Sequence, residues 1–577
     1  MKKWIGLVMV CLANFQVFAD IPKKEPLKLA QYPSGMAVSS AHPLATEAGL
    51  TILGQGGNAF DAAIAVAATL AVVAPYHSGL GGGGFWLMYD AKNKKNSFID
   101  SRETAPSKAS RDMYLDSKGK PIPGLSINGP LAAAIPGEPA AIAYVAKHYG
   151  KLPLSKSLAP AIALAEKGFK VDHQFVYFTT MGDRLAQLKR FPSTASVFLN
   201  QGRPYKIGER LVQPDLANTL KQLAKQGHDG FYKGPVAKQL VKSVQDLGGI
   251  WTEEDLANYQ VKIRDPLVSA YRNMLIITAP PPSAGGVGLI TMLNILQGYS
   301  LPEMNKVQWI HYLTEAMRLA FWQRDTYLAD PDFHKIPLSF LLSADNAKQL
   351  RQLIKPDRAT ASDTLPKMGQ EAKAGNTTHI SILDKEGNRV AATLTVNYIF
   401  GSSVIAQGTG VLLNDEMDDF SIKPGVHNVF GLVGSVANAI DPGKRPLSSM
   451  APTFLLMPGR VAICGTPGGS RIPSMMLLAA LTFYEGKGAI TMVSKMRFHH
   501  QYLPDFLQFE PETLTKSEQD ELRGMGYALM SLNQYYGDMQ AITWDQTKNF
   551  ITAASDPRHI GQGAVVAVND DNYGFSH

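Results

Sequence analysis

Cysteine is nearly absent from this chain of 577 residues, which contains only Cys11 and Cys464. Cys11 falls in an N-terminal segment predicted to be removed, so the mature protein would have no intrachain disulfide. Cys464 ends an apolar run at residues 461–464, and we expect a buried small side chain rather than a nucleophile. Stability is therefore predicted to come from the packing of a large core, for which the chain is long enough.

Clusters of positive charge are also missing. The net charge of +7 is scattered, and no run of five or six lysines or arginines occurs. This pattern argues against nucleic acid as a partner. The hydrophobic share of 45% and the charged share of 18% are typical of a folded globular protein.

No motif for a metal ion or a phosphate-bearing cofactor is present. His499 and His500 are adjacent and lack the spacing of metal ligands. Residues 81–84 are all glycine, but no Gly-Lys-Ser/Thr follows, and residues 85–89 have the composition of a strand. We therefore predict no metal and no cofactor, and we attribute the glycines to close packing of the backbone.

No apolar run has the length of a membrane span. Residues 1–19 instead resemble a signal peptide, with two lysines first and an apolar stretch at residues 4–15. Small residues, Val17 and Ala19, stand at the positions that a signal peptidase requires before a cut at Asp20. A membrane anchor would need a longer stretch, and a lipoprotein site would need a small residue before the cysteine. We predict a periplasmic or secreted protein.

Residues 377–383 and 388–396 are predicted to form a β-hairpin. Apolar residues recur at every second position in both segments, which is the period of a half-buried strand. A three-residue loop with Gly387 in the left-handed conformation joins them. This loop sets the register and places Thr377 opposite Thr395, with Cβ atoms about 4.5–5.5 Å apart.

Thr377 has two interpretations on this evidence. It is an ordinary strand residue, or it becomes a new N-terminus when the chain cleaves itself between Asn376 and Thr377. In the second case its hydroxyl is the nucleophile and its own α-amine is the base. Residues 366–374 are mostly polar or small, which predicts an exposed, mobile loop before the cut. Asn397 and His379 share the face of Thr377, but a histidine two residues along one strand is poorly placed as a base.

The chain resembles the γ-glutamyltranspeptidase family. The matching motifs follow one another in order through nearly the whole chain after the signal segment. They are residues 81–84, Ser-Arg-Glu-Thr-Ala-Pro at 101–106, Pro-Ser-Ala-Gly-Gly at 282–286, Thr-Thr-His at 377–379 with Thr395 and Asn397, Asn-Asp-Glu-Met-Asp-Asp-Phe at 414–420, Lys-Arg-Pro-Leu-Ser-Ser-Met at 444–450, Gly-Thr-Pro-Gly-Gly-Ser-Arg at 465–471 and Ser-Asp-Pro-Arg at 555–558.

The resemblance implies an α+β protein with the N-terminal-nucleophile hydrolase fold, an αββα sandwich of two stacked β-sheets between helix layers. It also implies a precursor that cleaves itself before Thr377. Residues 20–376 would form a large subunit and residues 377–577 a small catalytic subunit, and the two would remain together as a heterodimer.

The activity implied by the resemblance is transfer of a γ-glutamyl group. Glutathione and related γ-glutamyl compounds would be donors, and water, amino acids or peptides would be acceptors. Thr377 would be the nucleophile, and Thr395 would orient it. The other implied roles are oxyanion stabilisation by the backbone of Gly468 and Gly469, α-carboxylate binding by Arg102, Ser448 and Ser449, and α-ammonium binding by Asn397, Glu416 and Asp419.

Simpler explanations exist for three of these groups. Residues 418–419 could form a solvated turn, Arg102 a surface ion pair, and residues 448–449 a helix N-cap. For the whole protein, two other functions compete. One is a related amidase or acylase that acts on a different acyl group, and the other is an exported binding protein that stays uncut.

A few residues depart from the family pattern. Phe430 stands where many bacterial relatives have a tyrosine in a loop over the pocket, so a hydroxyl that would reach Asn397 is missing. The lid is therefore predicted to be present but looser. Residues 435–436, Thr466 and residues 398–399 also differ from the usual pattern.

Overall fold

Two antiparallel β-sheets are stacked face to face, and helices cover the outer face of each. This arrangement confirms the predicted α+β sandwich. The computed structural model describes residues 28–365, 377–423, 425–426, 428–432 and 434–567. The predicted signal peptide, the predicted loop at 366–374 and Asn376 lie outside the described residues. In the part of the chain that is described, no helix has both the length and the apolar character needed to cross a membrane.

Both sheets combine strands from before and after Thr377, and all neighbouring strands in them are antiparallel. In spatial order, the seven-stranded sheet contains β22 (Gln562–Ala567), β1 (Gly35–Ser40), β11 (Thr378–Leu383), β12 (Arg389–Thr395), β2 (Gly83–Asp90), β3 (Lys95–Ser101) and β8 (Lys262–Arg264). The six-stranded sheet contains β21 (Phe550–Ser555), β20 (Gln540–Asp545), β16 (Arg460–Gly465), β15 (Thr453–Met457), β10 (Met274–Thr278) and β9 (Leu267–Tyr271).

Short strands form smaller sheets at the periphery. They are β4 (Phe169–Lys170) with β7 (Arg210–Leu211), β5 (Leu199–Asn200) with β6 (Arg203–Pro204), β13 (Ile405–Ala406) with β14 (Val411–Leu412), and β17 (Phe498–His499), β18 (Leu507–Phe509) and β19 (Leu529–Ser531) together.

The helices divide between the two sides of the sandwich. On the side of the seven-stranded sheet are α1 (Pro43–Gly54), α2 (Ala59–Val73), α3 (Glu138–Tyr149), α4 (Leu154–Lys167), α5 (His173–Thr180), α6 (Arg184–Arg190), α7 (Pro192–Phe198), α8 (Pro214–Gln226), α9 (Asp229–Tyr232), α10 (Gly234–Asp246) and α11 (Glu253–Ala257). On the other side are α12 (Ala284–Leu296), α13 (Lys306–Tyr327), α14 (Leu338–Leu341), α15 (Ala344–Leu353), α16 (Ile472–Tyr484), α17 (Ala489–Ser494) and α18 (Lys516–Gly524).

Helix α2 is buried along its whole length, and its sequence is apolar nearly all round. Asn58 and Asp61 form a capping box that satisfies the first free N–H groups of the helix. A carboxylate from the β11–β12 turn adds to this, because Asp384 Oδ2 accepts a hydrogen bond from Ala59 N at 2.8 Å. The start of α2 therefore holds the closed end of the hairpin.

The β11–β12 hairpin has the predicted register. Pairing runs from Thr378–Leu394 to Leu383–Arg389, and one further step at the open end places Thr377 opposite Thr395. Gly387 has φ 87°, the left-handed conformation that the loop requires. The prediction of half-buried strands is wrong, because every residue of both strands is buried. The face that carries His379 and Ser381 packs against the six-stranded sheet instead of facing water.

The four glycines at residues 81–84 serve close packing, as predicted. A Cβ on any of them would meet a backbone oxygen closer than 3.0 Å. The oxygen above Gly82 belongs to Thr395, and the oxygen above Gly84 belongs to Thr393. The loop therefore lies directly against β12 beside the open end of the hairpin. Cys464 is fully buried in β16, and burial raises the pKa of its thiol to about 12, in line with a structural role.

Candidate active site

One small pocket at the open end of the hairpin contains nine of the ten residues predicted for catalysis and substrate binding. The tenth, Gly468, is adjacent to the lining residue Gly469. The cavity has a volume of about 20 Å³, room for roughly one water molecule. Its lining residues are Arg102, Thr377, Thr395, Asn397, Glu416, Asp419, Phe430, Leu432, Ser448, Ser449, Met450, Gly469 and Ile472.

Thr377 is 5% exposed at the edge of this pocket. Its carbonyl oxygen lies 2.7 Å from Nδ1 of His77. On the facing strand, Thr395 Oγ1 accepts a hydrogen bond from the backbone N–H of Asn397 at 2.8 Å. Asn397 has φ 76° and donates from Nδ2 to Asp415 O at 2.9 Å, so its side chain is held in place. The end of β12 thus presents two ordered polar side chains beside Thr377.

Arg102 forms a buried ion-paired cluster with two acids from the loop after β14. It is 1% exposed, and its guanidinium donates to Glu416 Oε1 through Nη1 and to Asp419 Oδ2 through Nη2. Nε also donates to Pro446 O at 3.1 Å. The proposed surface ion pair is therefore wrong for Arg102, and the proposed solvated turn is wrong for residues 418–419, since all these side chains are largely buried.

The electrostatics of the cluster depend on burial. Burial raises the pKa of the Glu416 and Asp419 carboxyl groups, although the Arg102 guanidinium acts in the opposite direction. Burial disfavours the charged form of Arg102, but the two carboxylates outweigh it and raise the pKa of the guanidinium. Arg102 therefore remains a cation in a buried site, where it is paired with the side chains of Glu416 and Asp419.

A third acid behind Arg102 was missed by the sequence reasoning. Glu103 is fully buried, and neither of its carboxylate oxygens has a hydrogen-bond partner among the described residues. Its Oε2 is 3.6 Å from Arg102 Nη1, and burial raises its pKa. Glu103 directly follows Arg102 in the Ser-Arg-Glu-Thr-Ala-Pro segment, and this position was the signal that could have indicated it.

The turn at residues 468–471 leads directly into α16. Gly468 and Gly469 have φ values of 138° and 56°, which residues with a side chain rarely adopt. Residues Gly469–Arg471 form a 3₁₀ turn at the N-terminal end of α16 (Ile472–Tyr484), where free backbone N–H groups collect. This geometry suits stabilisation of negative charge near Gly469, the turn residue that lines the pocket.

Ser448 and Ser449 complete the wall opposite the turn. Neither caps a helix, because they lie in the loop before β15, so the N-cap explanation is wrong. Ser448 Oγ accepts from Met450 N at 3.1 Å, and its backbone N–H donates to Pro282 O at 2.9 Å. The Pro-Ser-Ala-Gly-Gly segment predicted from the sequence thus supports this wall from behind.

The loop that carries Phe430 covers the pocket and is tied to the acidic segment below it. Asn428 Nδ2 donates to Asp419 Oδ1 at 2.8 Å, and Val429 N donates to Asp418 Oδ2 at 2.7 Å. Phe430 is buried and is one of the residues that line the pocket. An aromatic residue is therefore part of the pocket wall at this position.

Gln501 links this cover to the glycine turn, a connection that the sequence did not indicate. Its Oε1 accepts from Ser470 Oγ at 2.7 Å, while its Nε2 lies 3.4 Å from Phe430 O and 3.3 Å from Gly431 O. His499 Nε2 lies 2.9 Å from the same Oε1. The paired histidines predicted to have no metal role thus include one that orients Gln501. Across the described residues, no group of His, Cys, Asp and Glu side chains has the arrangement of a metal site.

The fold and the pocket together define an N-terminal-nucleophile hydrolase. The structure is similar to that of a cephalosporin acylase from Bacillus halodurans, with a TM-score of 0.80 and 28% identity over 93% of this chain and 96% of the other. A γ-glutamyltranspeptidase chain from Helicobacter pylori matches with a TM-score of 0.55 and 39% identity, over 60% of this chain and 96% of that one.

Sequence comparison specifies the family. A family profile described as Gamma-glutamyltranspeptidase matches residues 45–566. The glutathione hydrolase proenzyme of Pseudomonas sp. (strain A14) is 44% identical, covering 85% of this chain and 86% of its own. The glutathione hydrolase proenzyme of Escherichia coli (strain K12) is 39% identical over 91% of this chain and 90% of its own. The chain belongs to the γ-glutamyltranspeptidase family.

Proposed function

We propose that this protein is a self-processing γ-glutamyl transferase and hydrolase whose nucleophile is Thr377. The observation that carries this proposal is the convergence of Thr377, Arg102 and Asp419, which are far apart in sequence, on one pocket. Relatives named as glutathione hydrolase proenzymes support glutathione and other γ-glutamyl compounds as donors. Amino acids, peptides and water are the proposed acceptors.

Maturation begins with the bond between Asn376 and Thr377. Thr377 Oγ attacks the carbonyl carbon of Asn376, and the amide nitrogen of Thr377 leaves as an amine, so the amide becomes an ester. Water then hydrolyses the ester and leaves a carboxylate on Asn376. Residues 20–376 and 377–577 become a large and a small subunit. Because both sheets contain strands from each side of the cut, the two subunits stay together as a heterodimer.

The mature site would act on the γ-carbonyl of the donor. Thr377 Oγ attacks this carbon while the α-amine of Thr377 takes the hydroxyl proton, and Thr395 orients the nucleophile. Backbone N–H groups of the turn at Gly468 and Gly469 stabilise the oxyanion, a contribution of about 3–4 kcal/mol per donor. The protonated amine then gives its proton to the leaving amine, which is cysteinylglycine when the donor is glutathione. Water or an acceptor amine resolves the acyl-enzyme by the same steps.

The charge pattern of the pocket explains why an α-amino acid group would bind. Arg102 is paired with Glu416 and Asp419 within the pocket. A zwitterion can replace these contacts one for one, because its carboxylate pairs with the guanidinium and its ammonium pairs with the acids. Ser448 and Ser449 would add hydrogen bonds to the carboxylate, and Asn397 would add one to the ammonium. The net charge of the buried site would stay unchanged on binding, which limits the desolvation cost.

A related acylase on another acyl group is the second candidate, because the structural similarity to a cephalosporin acylase is high. An acyl group without an α-amino acid end would leave Arg102 and Asp419 without a ligand. The Arg102 cluster therefore favours the γ-glutamyl reaction. Export to the periplasm, proposed from the composition of residues 1–19, fits either activity.

Two measurements test the proposal. A denaturing gel of the purified protein should show two fragments, with the smaller one beginning Thr-Thr-His, whereas Thr377→Ala should remain one band. The mature protein should hydrolyse a γ-glutamyl anilide and not the matching glutaryl anilide, which lacks the α-amine. Turnover of the glutaryl compound alone would identify the acylase. One persistent intact band with no turnover would identify an uncleaved binding protein.

A further inference from the structure

His77 is a buried residue outside the predicted site that contacts Thr377 directly. It precedes the glycine loop and is 2% exposed. Its ring packs edge-on against the rings of Tyr76 and Phe178, with centroid separations of 4.6 and 5.1 Å. Its Nδ1 is 2.7 Å from the carbonyl oxygen of Thr377, 300 positions away in the chain. No other described side chain hydrogen-bonds this oxygen.

The tautomer of His77 follows from this contact. A carbonyl oxygen only accepts hydrogen bonds, so Nδ1 must carry the proton and donate it. Burial lowers the pKa of His77 to about 3, so the ring is neutral and Nε2 is a bare acceptor. Nε2 is buried and has no hydrogen-bond partner among the described residues. A phenylalanine or leucine would fill this apolar setting without an unsatisfied nitrogen, so packing alone does not explain a histidine here.

The backbone around His77 also holds the segment after Thr395. The carbonyl oxygen of His77 accepts a hydrogen bond from Val396 N, and that of Tyr76 accepts one from Phe400 N, each at 3.3 Å. Val396 lies between Thr395 and Asn397, the two polar residues at the end of β12. His77 is therefore joined on one side to Thr377 and on the other to the strand end that faces it.

We propose that His77 is a positioning residue that sets the orientation of Thr377 for self-cleavage and for turnover. This inference rests on the proposed function, in which Thr377 is the nucleophile. Fixing the Thr377 carbonyl fixes the plane of the peptide that follows it, and with it the position of the Thr377 Cα and the direction of the Cα–C bond. The amine and the hydroxyl-bearing side chain are then left with rotation about that one bond and about the bonds beyond it. After cleavage Thr377 is attached to the protein on one side only. The hydrogen bond from His77 then becomes a main restraint on Thr377. The hydroxyl of Thr377 has to be positioned accurately relative to the carbonyl carbon that it attacks.

Three substitutions separate the donated hydrogen bond from the shape of the ring. His77→Asn keeps an N–H donor close to the position of Nδ1 and removes the unsatisfied nitrogen. His77→Gln places its amide one carbon farther out, near the position of Nε2, and His77→Leu removes the donor. Each full-length precursor is incubated and sampled on a denaturing gel for the rate of cleavage. Fully cleaved protein is then assayed with a γ-glutamyl anilide for kcat and KM.

We expect His77→Leu and His77→Gln to slow cleavage and to lower kcat by on the order of tenfold, with KM changed less than twofold, because the substrate-binding groups are untouched. His77→Asn should stay within about threefold of the wild type in both rates. If His77 had only a structural role, its variants would show a lower melting temperature and a smaller active fraction. His77→Asn would then not restore the rates, and kcat would not be affected selectively.

The outcomes separate this inference from the proposed function. Wild-type cleavage and turnover together with equal rates in His77→Leu would overturn the role of His77 and leave the γ-glutamyl activity intact. Equal losses in His77→Asn and His77→Gln would also overturn it, because the ring rather than the donor would then matter. If His77→Leu does not fold, the comparison of the Asn and Gln variants still decides. Absence of cleavage in the wild type would refute the proposed function itself.

Discussion

Gly82 lies directly against the carbonyl oxygen of Thr395, so closely that a Cβ on Gly82 would overlap it. The position of Thr395 opposite Thr377 thus depends on the absence of a side chain in the glycine loop. The loop is further held by Asn414, whose Nδ2 donates to Gly81 O at 2.7 Å. The loop that could be mistaken for a phosphate cradle is a support for the hairpin.

Gly82→Ala is expected to displace the end of β12 and to destabilise the protein by about 1–3 kcal/mol, because the obstacle is backbone and cannot rotate away. Cleavage and γ-glutamyl anilide turnover should fall with it. Gly79→Ala is the matched control in the same loop, since its Cβ would meet nothing closer than 3.9 Å. Melting temperature and cleavage rate are measured for both variants. Equal behaviour of the two would contradict the packing argument.

Arg102→Lys is expected to raise KM for a γ-glutamyl anilide by at least about tenfold while reducing kcat less. Lysine keeps the positive charge but loses the two-pronged donor geometry that suits a carboxylate. Arg264→Lys serves as control, because Arg264 is also paired with acids, Asp100 at 2.7 Å and Asp332 at 3.0 Å among them, but does not line the pocket. An unchanged KM in Arg102→Lys would remove Arg102 from substrate recognition.

Glu138→Gln is expected to make stability less dependent on pH. Burial raises the pKa of Glu138 from 4.5 to about 8, and Trp86 Nε1, 3.5 Å from Oε2, offsets this only in part. Between these pH values the folded state keeps a proton that the unfolded chain has lost, so stability falls as pH rises through the window. The Gln variant should match the wild type near pH 5 and exceed it near pH 8.5, by on the order of a few kcal/mol.

Denaturant unfolding at the two pH values measures this difference. Glu209→Gln is the control, because Glu209 is at the surface and Arg203 lowers its pKa to about 2, so it does not titrate in this window. Parallel pH profiles for the wild type and Glu138→Gln would show that Glu138 is not responsible.

Phe430→Tyr is expected to tighten the loop over the pocket and to raise the share of transfer relative to hydrolysis. The ring already lines the pocket together with Asn397, so an added hydroxyl could reach that side chain. A firmer cover would restrict the access of water to the acyl-enzyme. The ratio is measured with a γ-glutamyl anilide in the presence and absence of a dipeptide acceptor. Phe430→Leu is the comparison without an aromatic ring, and an identical ratio in all three proteins would exclude a role for the cover.

Local patterns in the sequence were sufficient for the hairpin and for the packing role of the glycine loop. Each depends on residues a few positions apart. The alternation of apolar residues and the position of Gly387 determine the register of the hairpin. The same period of two also gave a wrong prediction, because it indicated strands with one face exposed to solvent. A second sheet covers that face, and no pattern within residues 377–396 reports what packs on top of them.

Contacts between distant residues account for what was not predicted. His77 is hydrogen-bonded to Thr377, and Gln501 to Phe430, although the partners are far apart in the sequence. Arg102 was expected to await a substrate carboxylate, whereas in the folded chain it is paired with two acids. Such pairings depend on which segments the complete fold brings next to each other.

The sequence by itself determined the family, the hairpin register and nearly all the residues of the pocket, because these are carried by short motifs and local periodicity. Only the tertiary structure decided that both faces of the hairpin are buried, that the pocket is small, and that His77 contacts the Thr377 carbonyl. The physical reason is that burial and hydrogen bonding of a buried group depend on every element that surrounds it, whereas strand period and turn type depend on neighbours in the chain.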